Sequence, residues 1–188
     1  NGYEQRYPSH VVEQTLIFRE HEILRDDGGC NLSEEEFMPA RCIKGDKRQI
    51  PKVALVGDSH ASTLAYELSN ALLKANMSFI QYTKNECPFA PFIHKEKTEN
   101  CDKFQSEYLK DFESKNFDVY IISSRWSYYL NDDDFNNGEG GKEVREPENH
   151  YSANSTRTDA SAQERKQSVL NAYLDALTSL VRSGKQVI

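Results

Sequence analysis

The run Lys52-Val53-Ala54-Leu55-Val56-Gly57 constrains the fold of this chain more than any other stretch. Its residues are apolar or β-branched without alternation, the pattern of a strand covered on both faces, and such strands belong to parallel sheets flanked by helices. The run stops at Gly57-Asp58-Ser59-His60, and the next segment sets Leu64, Leu68, Ala71, Leu72 and Ala75 on one helical stripe. The order is strand, tight turn, helix.

The same order recurs. Residues 78–82 read as a second strand, and a helix over 102–114 buries Phe104, Tyr108, Leu109 and Phe112, with Asn116 where a C-cap would end it. A third strand over 119–122 runs into Ser123-Ser124-Arg125-Trp126. A last helix opens near Ser161, carries Val169, Leu170, Tyr173, Leu174, Leu177, Leu180 and Val181 on one face, and closes at Gly184. Residues 185–188 read as the first half of another strand. This alternation predicts an α/β domain with a parallel sheet and helical crossovers. Residues 49–188 form that domain in this reading, with 131–160 as a polar insertion loop nearly devoid of aliphatics. Residues 1–48 are expected as an irregular extension or linker packed on the core. The length of 188 residues suits one domain, which is expected to stop in mid-fold, incomplete at its C-terminus.

Lys plus Arg number 23 against 30 Asp plus Glu, a net charge of -7, so a phosphate backbone would meet repulsion and nucleic acid is not an expected partner. No apolar run approaches the ~18 residues of a membrane-spanning helix. Four cysteines lie in polar, loop-like sequence as two local pairs, Cys30 with Cys42 and Cys87 with Cys101. No Cys-x-x-Cys knuckle is present and the five histidines lack ligand spacing, so no metal is expected. Two local disulfides are the favoured reading, although sequence leaves all three pairings of four cysteines open. Disulfides imply an oxidising compartment. With no signal peptide in view, the chain reads as part of a larger exported protein.

Ligand crevices in parallel sheets lie at the carboxyl ends of strands, which is where Gly57-Asp58-Ser59-His60 falls. A serine in such a turn exposes its hydroxyl, while its N–H and the helix N-terminus face developing negative charge. Gly57 permits the turn and Asp58 can hold it through backbone hydrogen bonds. The competing reading makes Ser59 or Asp58 an ordinary helix N-cap.

Val56-Gly57-Asp58-Ser59-His60-Ala61 resembles block I of the SGNH (GDSL-like) hydrolase superfamily, in the form found in SGNH domains fused to membrane acyltransferase-3 proteins. Tyr82-Thr83-Lys84-Asn85-Glu86-Cys87-Pro88 is similar to that family's Thr-Lys-x-x-Cys-Pro segment, and Cys101 matches the cysteine before its next helix. The stretch from Phe117-Asp118-Val119 to Arg125-Trp126 resembles its Asp-Val…Arg-Trp segment. The resemblance implies a three-layer, flavodoxin-like fold in a periplasmic domain of a bacterial inner-membrane protein. It also implies a membrane acyltransferase-3 domain in the same parent chain and acetylation of a cell-surface polysaccharide such as lipopolysaccharide O-antigen. No cofactor is expected in the domain itself; the acetyl group would come ultimately from acetyl-CoA through the membrane domain.

The implied chemistry is acyl transfer through an acetyl-Ser59 intermediate, which needs a base. The family supplies it from a C-terminal Asp-x-x-His motif. That motif is absent from the sequence, and His60 and His150 are poor substitutes, so the 188 residues alone are expected to be inactive. Asn85 and Arg125 occupy the loop ends where oxyanion donors are expected. For Arg125 the alternative is a salt bridge to Asp58 or to the acidic insertion. Trp126, with Tyr128 and Tyr129, either stacks on a sugar ring or covers the sheet edge as core. The rival functions are a carbohydrate esterase or deacetylase using the same serine, and a noncatalytic glycan-binding domain.

Overall fold

The computed structural model describes residue 8 and residues 29–91, 93–95, 100–130, 138–141, 151–152 and 161–188. Its main sheet contains β1 (Asn31–Leu32), β2 (Cys42–Gly45), β3 (Val53–Gly57), β4 (Ser78–Lys84), β6 (Val119–Ser123) and β8 (Gln186–Val187). Four helices accompany it among the described residues: α1 (Ser59–Lys74), α2 (Asn100–Ser114), α3 (Trp126–Leu130) and α4 (Ala162–Arg182). A separate two-residue antiparallel pair joins β5 (His94–Lys95) to β7 (Tyr151–Ser152).

Strands β4, β3, β6 and β8 lie side by side and run parallel. In chain order this is second, first, third, fourth, the flavodoxin-type winding, and the expected α/β class is what the chain adopts. The winding reverses between β3 and β6, because α1 carries the chain from β3 to one side and α2 carries it back across to the other. A crevice therefore opens above the carboxyl ends of those two strands.

Both faces of the sheet are covered, which explains the unbroken apolar runs. Val53, Leu55 and Phe79 face α1, packing on Ala61 and Ala65. Ala54, Val56, Ile80, Tyr82 and Tyr120 face the other way, beneath α2 and α4. That second core is built from aromatic edges: Phe112 meets Tyr120 at 4.8 Å and Tyr82 at 5.6 Å between ring centroids. Each such ring contributes roughly 1.5–3 kcal/mol of burial. Tyr82 places its hydroxyl 2.9 Å from Asp111 Oδ2, where Arg41 Nε also donates at 2.6 Å, while Lys115 pairs with Oδ1 at 2.9 Å. Burial works against ionisation of Asp111, yet the hydrogen bonds from Arg41, Lys115 and Tyr82 outweigh it and hold the carboxyl below its usual range.

The structure departs from the sequence reading in several places. Residues 31–45, expected within an irregular extension, supply two strands of the sheet: β1 pairs parallel to the end of β4, and β2 pairs antiparallel to its beginning. The disulfides are those expected: one between Cys30 and Cys42 holds the two strands together, and a second joins Cys87 to Cys101. The buried side of α1 is Ala61, Ala65, Leu68 and Leu72, so Leu64, Ala71 and Ala75 of the expected stripe face outward. Two alanines in the first turns let the helix approach the sheet closely, and that approach sets its rotation. In α4, Val169, Tyr173, Leu177 and Leu180 pack inward, but Leu174 and Val181 remain exposed. Its ends are as expected. Ser161 and Glu164 form a reciprocal capping box, and Gly184, at φ +78°, closes a Schellman turn in which Lys185 N–H reaches Leu180 O at 3.1 Å. Most of the expected 131–160 insertion, with His150, lies outside the described residues.

Candidate active site

The site is assembled where β3 ends. Gly57 has φ +146°, and a Cβ there would lie 1.8 Å from Ser123 O and 3.0 Å from Ala61 Cβ. Only glycine lets β3, β6 and the first turn of α1 come this close. Asp58 follows as the N-cap of α1, with its side-chain Oδ1 accepting from His60 N–H at 2.8 Å. Its other oxygen accepts twice, from Arg125 N–H at 2.8 Å and from Tyr129 Oη–H at 2.6 Å. The carboxylate is 1% exposed, so these three donors replace the water that it loses on burial.

Capping by Asp58 leaves Ser59 outside that role. Ser59 is the first residue of α1 and half-buried, and its hydroxyl has no hydrogen-bond partner among the described residues. The free N–H groups and dipole of a 16-residue helix begin at its position. His60 contributes its backbone to the cap and its side chain is exposed.

Register brings the other expected residues to the same end of the sheet. Thr83, Gly57 and Ser123 form one row across β4, β3 and β6. Two residues beyond that row lie Asn85, Ser59 and Arg125. Asn85 N–H donates to Leu32 O at 2.9 Å, and its side-chain Oδ1 accepts from Asn31 Nδ2 at 2.7 Å. Arg125 meets Asp58 through its main-chain N–H, and its guanidinium carbon lies 5.4 Å from the centre of the Tyr128 ring. Of the two salt bridges weighed for Arg125, the one to Asp58 is not the contact formed, and most of the acidic insertion, the other expected partner, lies outside the described residues.

Trp126 opens α3 and lies half-buried against Tyr173 of α4, with ring centroids 4.1 Å apart and planes tilted by 43°. Tyr129, Ala90, Ile93 and Val169 complete that cluster. Tyr129 is the core member of the aromatic group after β6, and its hydroxyl is the one that reaches the site. Neither Tyr129 as partner of Asp58 nor Asn31 as partner of Asn85 is legible in sequence. The first contact spans 71 residues and the second 54. A groove of about 990 Å³ opens between α2 and α4, lined by Phe89, Leu109, Phe112, Tyr120, Ala176 and Leu180 among others. It shares no residue with the turn at Ser59, and the convergence of polar groups at the strand ends, not the size of that groove, locates the candidate chemistry.

A family model described as "SGNH domain (fused to AT3 domains)" matches residues 25–188. No curated protein and no solved structure matches the chain. Among the described residues, no helix is long and apolar enough to cross a membrane.

Proposed function

Because the chain belongs to the SGNH domains fused to AT3 domains, we propose that it is the periplasmic part of an O-acetyltransferase acting on a hydroxyl of a cell-surface polysaccharide. Ser59 Oγ attacks the carbonyl carbon of an acetyl donor, its proton passes to a base, and the donor's leaving group departs with a proton. A sugar hydroxyl then attacks the acetyl-Ser59 carbonyl, its proton leaves through the same base, and Ser59 Oγ is released and reprotonated. The AT3 partner in the same parent chain supplies the acetyl group. The 188 residues contain no Asp-x-x-His motif, and the base, which the family resemblance implies is the histidine of that motif, is supplied from elsewhere in the parent protein.

One observation carries this reading. Asp58, not Ser59, is the side-chain cap of α1, so the Ser59 hydroxyl at the N-terminus of that helix above the crevice has no hydrogen-bond partner among the described residues. Its N–H faces the place where an oxyanion forms, and Asn85 and Arg125 flank it from the neighbouring strand ends. The two disulfides support placement in an oxidising compartment.

The test is to incubate the full parent chain with an activated acetyl ester and locate acetyl groups by peptide mass spectrometry. Acetyl-Ser59, absent in Ser59→Ala, with transfer to a glycan, is the expected result. Release of acetate with no glycan ever acetylated identifies an esterase. Glycan binding without any acetyl-Ser59 identifies a binding domain.

A further inference from the structure

We propose that Asn31, on edge strand β1, is a positioning residue that turns the Asn85 carboxamide so that its NH2 group donates toward the oxyanion formed at Ser59. The inference rests on the acyl-transfer reading above. A carboxamide has one accepting end and one donating end, fixed about 120° apart by its planar geometry. Asn31 Nδ2 occupies the accepting end of Asn85 at 2.7 Å. Asn85 makes no other side-chain hydrogen bond among the described residues, so its NH2 group is left to serve the crevice.

The backbone fixes this pair from both sides. Asn31 is in register with Thr83, and Thr83 with Gly57, so β1 extends the row that ends beside Ser59. Asn85 N–H is tied to Leu32 O, and Glu86 next to it holds a left-handed conformation at φ +52°. The strain of that turn is sustained by its surroundings. Each asparagine also lies within two residues of a disulfide: Cys30 precedes Asn31 and Cys87 follows Glu86.

Two facing carboxamides can bond in either of two senses. In one, Asn85 presents NH2 to the crevice; in the other, it presents a carbonyl oxygen. Acyl transfer develops negative charge, and only the first sense stabilises it. In the sense found, Asn31 is bonded through Nδ2 alone, and its Oδ1 is buried with no partner among the described residues.

Asn31→Asp tests this without changing shape. Aspartate only accepts, so Asn85 must turn its NH2 to it and present oxygen to the site. Initial rates of the full parent chain with p-nitrophenyl acetate should show kcat reduced on the order of a hundredfold with KM changed less than about threefold. In an Asn85→Ala background the same substitution should change kcat by less than about threefold, because the orientation it controls is gone. Asn31→Leu, which removes the bond without reversing it, should give a smaller loss and keeps the test open if the aspartate variant is unstable. Wild-type kcat in both Asn31 variants, or an undiminished Asn31→Asp effect in the Asn85→Ala background, overturns the proposal. Absence of any Ser59-dependent turnover in the unsubstituted chain defeats the acyl-transfer reading, and this inference with it.

Discussion

Tyr129 Oη lies 2.6 Å from Asp58 Oδ2, a contact that ties the short helix after β6 to the turn after β3. The same carboxylate oxygen receives Arg125 N–H, so Asp58 sets the position of Arg125 relative to Ser59 rather than acting on a base. Tyr129→Phe removes one of three donors from a buried carboxylate and is expected to cost about 1.5–3 kcal/mol. Urea unfolding of the variant measures the loss. An unchanged midpoint would show that the phenol contributes nothing to the bracket.

Gly57→Ala should be far more damaging. Its Cβ would sit 1.8 Å from a backbone oxygen of β6, which no rotamer change relieves, and φ +146° is itself unfavourable for alanine. A loss of about 4 kcal/mol or more is expected, enough to unfold a domain of ordinary stability. Circular dichroism of the purified variant decides it: a wild-type melting temperature would mean that β3 and β6 can part at this point.

Much of the fold is local in origin and was readable for that reason. The unbroken apolar run at 52–57, the helical spacing through α2 and the Ser161 to Gly184 caps of α4 are written in consecutive residues. The two edge strands were not, because two- and four-residue strands have no period to read and depend on β4 and on the Cys30–Cys42 bond. The rotation of α1 departs from the expected stripe because Leu64 outweighs Ala61 and Ala65 in hydrophobicity, whereas the close approach of the helix to Gly57 and the sheet favours the small alanines. In the candidate site, Asp58 and Ser59 are neighbours and announce themselves together. Tyr129 and Asn31 act only through contacts that the sheet's winding creates.

Asp111 makes stability depend on acid. Its folded pKa lies below the ordinary value of 3.8, so its contribution is fully present above that pH and is lost as pH falls through the folded value. Urea midpoints taken from pH 7 down to pH 3 should fall at the acid end. In Asp111→Asn that fall should be shallower, from a lower neutral starting point, because Arg41 and Lys115 then face an uncharged amide. An acid limb unchanged by the substitution would assign it to other carboxylates.

The Cys87–Cys101 bond closes a 14-residue separation and pins the chain following Asn85 to the first turn of α2. Both sulfurs are buried, and Gln105 donates to Pro88 O at 3.0 Å beside them. Replacing both cysteines by serine should lower stability by about 3 kcal/mol. The paired replacement at Cys30 and Cys42 should cost a similar amount, since the closed loop is of similar length. Denaturant unfolding without reductant compares the two, and a loss under 1 kcal/mol at either would mean that the loop stays ordered without its bond.

Arg125 bears most directly on chemistry. Its backbone is fixed by Asp58 two residues beyond the β3–β6 row, so its side chain starts from a defined point beside Ser59. If that side chain stabilises the oxyanion, Arg125→Ala should lower the rate of Ser59 acetylation by about a hundredfold or more in the full parent chain. The Asp58 bond uses a main-chain N–H that alanine retains, so the substitution leaves that contact in place. Arg125→Lys separates charge from geometry: a point charge keeps part of the rate if electrostatics dominates, whereas a forked donor is lost either way. A change of less than threefold in Arg125→Ala would remove Arg125 from the site and leave the Ser59 N–H and Asn85 as its donors.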